Sequence, residues 1–148
     1  MTGVETMTNS QQFCTFYVDE LFLGVEVERV QEVIRHQQTT RVPLATDVIG
    51  GLINLRGQIV TAIDLRCRLE LPKRPLESES MNVVVRTEDG PVSLLVDEIG
   101  DVVEVEQEDF ELPPDTLQGT ARSMIGGAFK LKDRLLLQLD AERALKVV

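Results

Sequence analysis

The chain has 148 residues, 43% apolar and 27% charged, with 15 basic against 25 acidic side chains and a net charge of −10. A chain of this length buries about 68–70% of its unfolded surface, enough for a real core, and no apolar run approaches the ~20 residues of a membrane-crossing helix. The acidity argues against nucleic acid or anionic lipid as a partner, since both are held by clustered Lys and Arg.

The charge is uneven. Residues 1–74 hold 9 acids and 8 bases, residues 75–148 hold 16 and 7, and Asp97 to Asp115 contains nine acids and no base. The opening MTGVETMTNSQQ has neither a basic nor an apolar leader segment, so the expected compartment is the cytoplasm. Cys14 and Cys67 lie too far apart for a C-x-x-C motif and are expected as free, near-core thiols.

Residues 1–12 read as a disordered tail. FCTFYV (Phe13 to Val18) and LFLGVEV (Leu21 to Val27) read as strands around an Asp19-Glu20 turn. The spacing of Val30, Val33 and Ile34 changes to i, i+3, i+4, which predicts one helical turn or a bent continuation of the strand. Thr46 or Asp47 is placed to cap a short helix through Ile49. Next, Leu52 to Leu55 and Gln58 to Ile63 form a hairpin whose turn residues are Arg56 and Gly57, with glycine able to take the positive φ that tight hairpins require. Asp64 caps a short helix through Leu69, and Pro72, Pro75 and Glu77 to Ser80 make a linker. MNVVVRT, PVSLLVD and DVVEVE alternate as strands, Pro113 to Arg122 is polar loop, MIGGAFKL pairs with RLLLQLD, and Asp140 to Leu145 is a terminal helix.

An internal repeat sets the architecture. VIGGLINLRGQIVTAIDLRCRL (Val48 to Leu69) aligns without a gap on MIGGAFKLKDRLLLQLDAERAL (Met124 to Leu145). Ile49 falls on Ile125, Gly50-Gly51 on Gly126-Gly127, and Asp64 on Asp140. A weaker match places GVEVERVQEVI (Gly24 to Ile34) on SLLVDEIGDVV (Ser93 to Val103), so that Val30 meets Ile99, Glu32 meets Asp101 and Val33 meets Val102. Short strands at regular spacing predict a mainly β chain of two similar five-stranded small barrels side by side, with short helices and a C-terminal helix. Barrel one is expected over 13–72 and barrel two over 81–148, with the boundaries open to strand exchange. A single sandwich of about ten strands is the alternative. The hairpin tips have diverged: Arg56-Gly57 aligns with Lys132-Asp133.

Chemistry is sparse. His36, the one histidine, lies in the polar run RHQQTTR, and no phosphate-loop, dinucleotide, zinc-protease, serine-hydrolase or EF-hand motif occurs. Glu104, Glu106 and Glu108 alternate but lack a shaped cation loop. No catalytic residue, metal site or cofactor is expected.

The sequence resembles the CheW family of chemotaxis coupling proteins over about residues 13–145. The likeness is strongest in IGGLINLRGQIVTAIDLR (Ile49 to Arg66), with GVEVERVQEVI before it and LLVDEIGDVVEV after it. The resemblance implies two packed five-stranded barrels and a non-enzymatic adaptor linking chemoreceptor tips to the regulatory domain of the histidine kinase CheA. It implies a cytoplasmic protein recruited to membrane-associated receptor arrays without insertion, or the same role in a related pathway controlling pili, surface motility or second-messenger synthesis. By position, it implies receptor coupling at Val30, Glu32, Val33, Arg56, Ile99 and Val102, and kinase binding at Gly51. The residues themselves offer a second reading: core for the four aliphatics, a backbone requirement for Gly51, and a solvated turn for Arg56. Because the aligned Lys132 shows that the fold does not demand arginine, Arg56 favours a partner, whose carboxylate a guanidinium grips with two hydrogen bonds.

Overall fold

The computed structural model describes residues 10–73, 79–117 and 119–146. Its elements in chain order are β1 (Ser10–Val18), β2 (Leu21–Glu26), β3 (Val30–Ile34), β4 (Ile49–Leu55), β5 (Gln58–Asp64), α1 (Leu65–Arg68), β6 (Met81–Thr87), β7 (Gly90–Val96), β8 (Glu98–Glu106), β9 (Phe110–Glu111), α2 (Gly119–Ser123), β10 (Ile125–Lys130), β11 (Leu135–Leu139) and α3 (Ala141–Ala144). Residues 10–12, expected in the tail, begin β1 instead, opposite Glu106, Val105 and Glu104 of β8. Residues 1–9, and Pro75 to Ser78 of the expected linker, lie outside the described residues.

The strands form two sheets, ordered β8-β1-β2-β11-β10-β9 and β3-β6-β7-β5-β4. The chain is therefore mainly β, as its alternation predicts, but the sheets do not divide where the repeat divides. The second sheet is the contiguous stretch 30–96, while the first joins 10–26 to 98–139. The cause is in the ladders: β5 pairs in parallel with β7, and β11 with β2, so each half's opening hairpin adds to the other half's I-G-G hairpin. Each sheet is curled round by the segment leaving one outer strand. After β3, Thr40 exchanges two 2.8 Å hydrogen bonds with Leu52 of β4, and after β8 the chain pairs through β9 with β10.

Three apolar clusters follow. Between the sheets lie Phe16, Val18, Leu23 and Val25 from one, and Ile63, Val83, Val85, Leu94 and Val96 from the other. Inside the second sheet are Ile53, Leu55, Val60, Ala62, Val84 and Leu95, and inside the first Phe13, Phe22, Val105, Phe129 and Leu136. A strand with a core on both faces carries a near-continuous apolar run: in β6, Val83 and Val85 face the central cluster and Val84 the barrel interior. Asn82, fully buried there, is satisfied by Ser93 Oγ at 2.8 Å and by the Arg35 carbonyl at 3.2 Å.

The repeat is present in three dimensions. Asp64 and Asp140 each cap a one-turn helix, accepting from Cys67 N and Arg143 N at 3.2 Å. Both hairpins shift register at the first glycine, between Ile49 and Gly51 and between Ile125 and Gly127. Of the two readings of the i, i+3, i+4 spacing after Glu28, the structure has the bent continuation of the strand: helical geometry is confined to the 3-10 turn Val27–Arg29, and β3 carries a register shift between Val30 and Glu32. One local expectation is corrected. Thr46 closes only a turn, its carbonyl accepting from Ile49 N at 3.0 Å, because β4 already starts at Ile49. The polar loop from Pro113 also contains α2.

Candidate partner-binding face

The β4–β5 turn has positive φ at both Arg56 (53°) and Gly57 (87°), the conformation that matches the twist of a tight hairpin. Asn54 Oδ1 accepts from Gly57 N at 2.8 Å and fastens it. From this tip Arg56 reaches β3: Nη1 donates to Glu32 Oε2 at 2.5 Å and Nη2 to Glu32 Oε1 at 2.7 Å. The hydrogen bonds from Arg56 hold the Glu32 carboxyl below its ordinary range. The arginine side chain is 71% exposed and the glutamate 18%, so the pair presents guanidinium to solvent and keeps carboxylate underneath. Two residues implied separately as a coupling pair are thus one unit. At the repeat-related positions, no ion pair joins Asp101 to Lys132 among the described residues, and the second tip is a longer loop closed by Leu131 N on the Arg134 carbonyl at 2.8 Å.

The four aliphatics split by position in the repeat. Val30 and Ile99 are half-buried and pack against the central cluster, opposite Val85 and Phe16. Val33 and Val102 point outward, 38% and 57% exposed, from the outer strands β3 and β8. Gly51 is buried with φ 145°, and a Cβ there would stand 2.7 Å from the Thr40 carbonyl oxygen. It permits the Thr40–Leu52 contact that curls the second sheet. Ile59, 61% exposed beside the Arg56 tip and opposite Asn54, was not singled out in the sequence. The signal is there, since Val60 and Ala62 are buried and alternation turns Ile59 outward.

Ion pairs pin both crossings between the sheets. At the β7-to-β8 crossing, Arg66 holds Asp97 through Nε at 2.9 Å and Nη2 at 2.7 Å, and Asp97 Oδ2 accepts from Asp19 N at 2.6 Å. At the β2-to-β3 crossing, Arg29 Nη2 meets Glu142 Oε1 at 2.7 Å. Arg66 and Glu142 are repeat-related, so the two clamps have opposite polarity.

Burial pushes both the Cys14 and Cys67 thiols up, away from the nucleophilic thiolate. Among the described residues no three His, Cys, Asp or Glu side chains converge as a metal site, and no helix is long and apolar enough to cross a membrane.

The family model of the CheW-like domain matches residues 12–148. The chemotaxis protein CheW of Bacillus subtilis is 33% identical over 135 residues, spanning 91% of this chain and 86% of that one. The chemotaxis protein CheW of Treponema pallidum is 30% identical over 146 residues, spanning 95% and 86%. The crystal structure of the scaffolding protein TtCheW from Thermoanaerobacter tengcongensis superposes with a TM-score of 0.82 at 26% identity, covering 93% of each chain.

Proposed function

Because the chain belongs to the CheW-like domain family, we propose that it is a non-enzymatic adaptor that couples chemoreceptor tips to the histidine kinase CheA. The observation that carries the proposal is the family match over residues 12–148, together with the exposed Arg56 held on Glu32 beside the outward-facing Val33. A fixed, solvent-facing guanidinium flanked by aliphatics suits a partner that offers a carboxylate within an apolar helical surface. Val33 and Val102 meet the receptor directly, whereas Val30 and Ile99 support them from the core. Gly51 serves the kinase interface through the shape of the Thr40–Leu52 junction. Two modest interfaces on one rigid body give an assembly whose stability comes from effective concentration. The protein works in the cytoplasm and is held at membrane-associated arrays by its partners.

Co-sedimentation with receptor-containing membranes tests the assignment. The expected result is that the protein pellets with receptor membranes and brings CheA with it. Equal pelleting with receptor-free membranes, or none with either, overturns it.

A further inference from the structure

Two residues apart on a regular strand, Val30 and Glu32 would face the same way. In β3 they do not. Val30 lies opposite Val85 and packs on the central cluster, whereas Glu32 lies opposite Val84, whose side chain belongs to the interior of the second sheet. Gln31 is the extra residue between them, a bulge that turns Glu32 to the other face. The Arg56–Glu32 contact therefore depends on this bulge, and β3, at the edge of its sheet, has a ladder on one side to hold it.

An anchor reaches the bulge from the exposed end of β6. Arg86 Nη1 donates to the Glu28 carbonyl at 3.0 Å and to the Val30 carbonyl at 2.9 Å, the last carbonyl before the extra residue. Both bonds are charge-assisted.

The repeat-related bulge in β8 is held another way. There Ile99 lies opposite Phe16 and Val102 opposite Cys14, and the Thr15 hydroxyl donates to the Asp101 carbonyl at 2.5 Å. That hydroxyl fits because residue 100 is glycine: a Cβ there would stand 2.5 Å from Thr15 Oγ1. In β3 the aligned residue is Gln31, which has a Cβ. Counting from the Val85–Val30 and Phe16–Ile99 pairs, Val84 takes the place of Thr15 and Arg86 that of Tyr17. Valine has no hydroxyl to donate, and Tyr17 turns its own to Arg134. The fold keeps a bulge in both sheets without demanding an arginine beside it; the arginine accompanies the Arg56–Glu32 pair.

We propose that Arg86 is a positioning residue for Arg56: by fixing the carbonyls that lead into the β3 bulge, it keeps Glu32 turned beneath the guanidinium. This is a property of the free protein, and only its consequence for coupling rests on the adaptor reading.

The test follows the Glu32 carboxyl of the full chain by 13C NMR titration in wild type, Arg86→Met, Arg86→Lys, Arg56→Ala and the double variant Arg86→Met/Arg56→Ala. Both arginines are exposed, so each variant should melt close to wild type. In wild type the hydrogen bonds from Arg56 hold Glu32 low. Arg56→Ala should let it rise toward the ordinary carboxylate range, Arg86→Met should move it the same way, and the double variant should rise no further than Arg56→Ala alone. Arg86→Lys should stay near wild type, because both anchoring bonds come from one nitrogen, which an ammonium replaces. A Glu32 titration unmoved in Arg86→Met overturns the proposal. So does a rise that adds to that of Arg56→Ala, which would be the charge of Arg86 acting directly. CheA autophosphorylation in receptor-containing membranes separates this proposal from the adaptor reading. Activation should fall in Arg86→Met and survive in Arg86→Lys. A released Glu32 with full activation leaves the positioning in place and refutes the coupling role of Arg56, whereas lost activation with Glu32 unmoved refutes the positioning.

Discussion

Arg56 and Glu32, 24 residues apart, are joined by two hydrogen bonds of 2.5 and 2.7 Å that use both carboxylate oxygens and both terminal guanidinium nitrogens. The hairpin tip is thereby tied to the outer strand β3, and the arginine stands oriented before any partner arrives. Pre-organisation of this kind lowers the entropy cost of binding.

The pair has a pH signature. Glu32 has its carboxyl held down in the folded state, so its contribution is present above the unfolded value, about 4.3, and is lost as pH falls through the lower folded value. Wild type minus Glu32→Gln, measured by urea unfolding, should show a small positive difference at pH 7 that shrinks progressively as pH falls below about 4.3. A difference that stays constant as the protein is acidified to the limit of its folded range would mean the carboxylate is not the stabilised group. Because the arginine is well exposed, raised salt should shrink the difference too.

Two glycines should behave differently on replacement by alanine. At Gly51 the positive φ and the 2.7 Å approach of the Thr40 carbonyl both oppose a Cβ, so Gly51→Ala should cost about 2 kcal/mol or more. At Gly126 nothing lies within 4 Å of an added Cβ, and Gly126→Ala should stay within about 0.5 kcal/mol. Denaturation midpoints of the two variants decide this.

The aliphatic positions should separate stability from binding. Val30→Ala and Ile99→Ala remove core packing and should each cost about 1–2 kcal/mol, less than a fully buried deletion. Val33→Ala and Val102→Ala, on the outer surface, should unfold within about 0.5 kcal/mol of wild type while weakening receptor co-sedimentation. If the outer pair destabilises and the inner pair does not, the two roles are assigned the wrong way round.

The Arg66 clamp is largely covered, the Arg66 and Asp97 side chains being 13% and 18% exposed. Removing one partner leaves a charge short of compensation, so Arg66→Met should destabilise by about 2–3 kcal/mol. Arg29→Met, whose partner Glu142 is 66% exposed, should cost under about 1 kcal/mol. Parallel thermal melts compare them.

How much of this was legible varied with the range of the interaction. Asp64 and Asp140 as caps, Arg56-Gly57 as a tight turn and the duplicated I-G-G hairpins are set by neighbours in sequence, and the structure has each of them. Which half supplies which strand was not legible, because the parallel β5–β7 and β11–β2 ladders are chosen by long-range packing between similar apolar runs. The spacing from Val30 to Ile34 left a helical turn and a bent strand both open, because the register shift breaks the two-residue period. At the candidate site, Arg56 and Glu32 were individually visible but their contact was not, since it depends on the curl that brings the hairpin tip onto β3. The reversed polarity of the two clamps was equally hidden: the alignment sets Arg66 on Glu142 but says nothing of their partners.

The central claim is that the Arg56 tip couples receptor to kinase. Its most direct test is CheA autophosphorylation in receptor-containing membranes, with wild type, Arg56→Glu and the repeat-related Lys132→Glu, each confirmed folded by its melting curve. The account predicts that wild type and Lys132→Glu raise kinase activity equally and that Arg56→Glu does not. Equal activation by Arg56→Glu would contradict it and make Arg56 a solvated turn residue, and equal loss in both variants would show sensitivity to charge with no specific role for this tip.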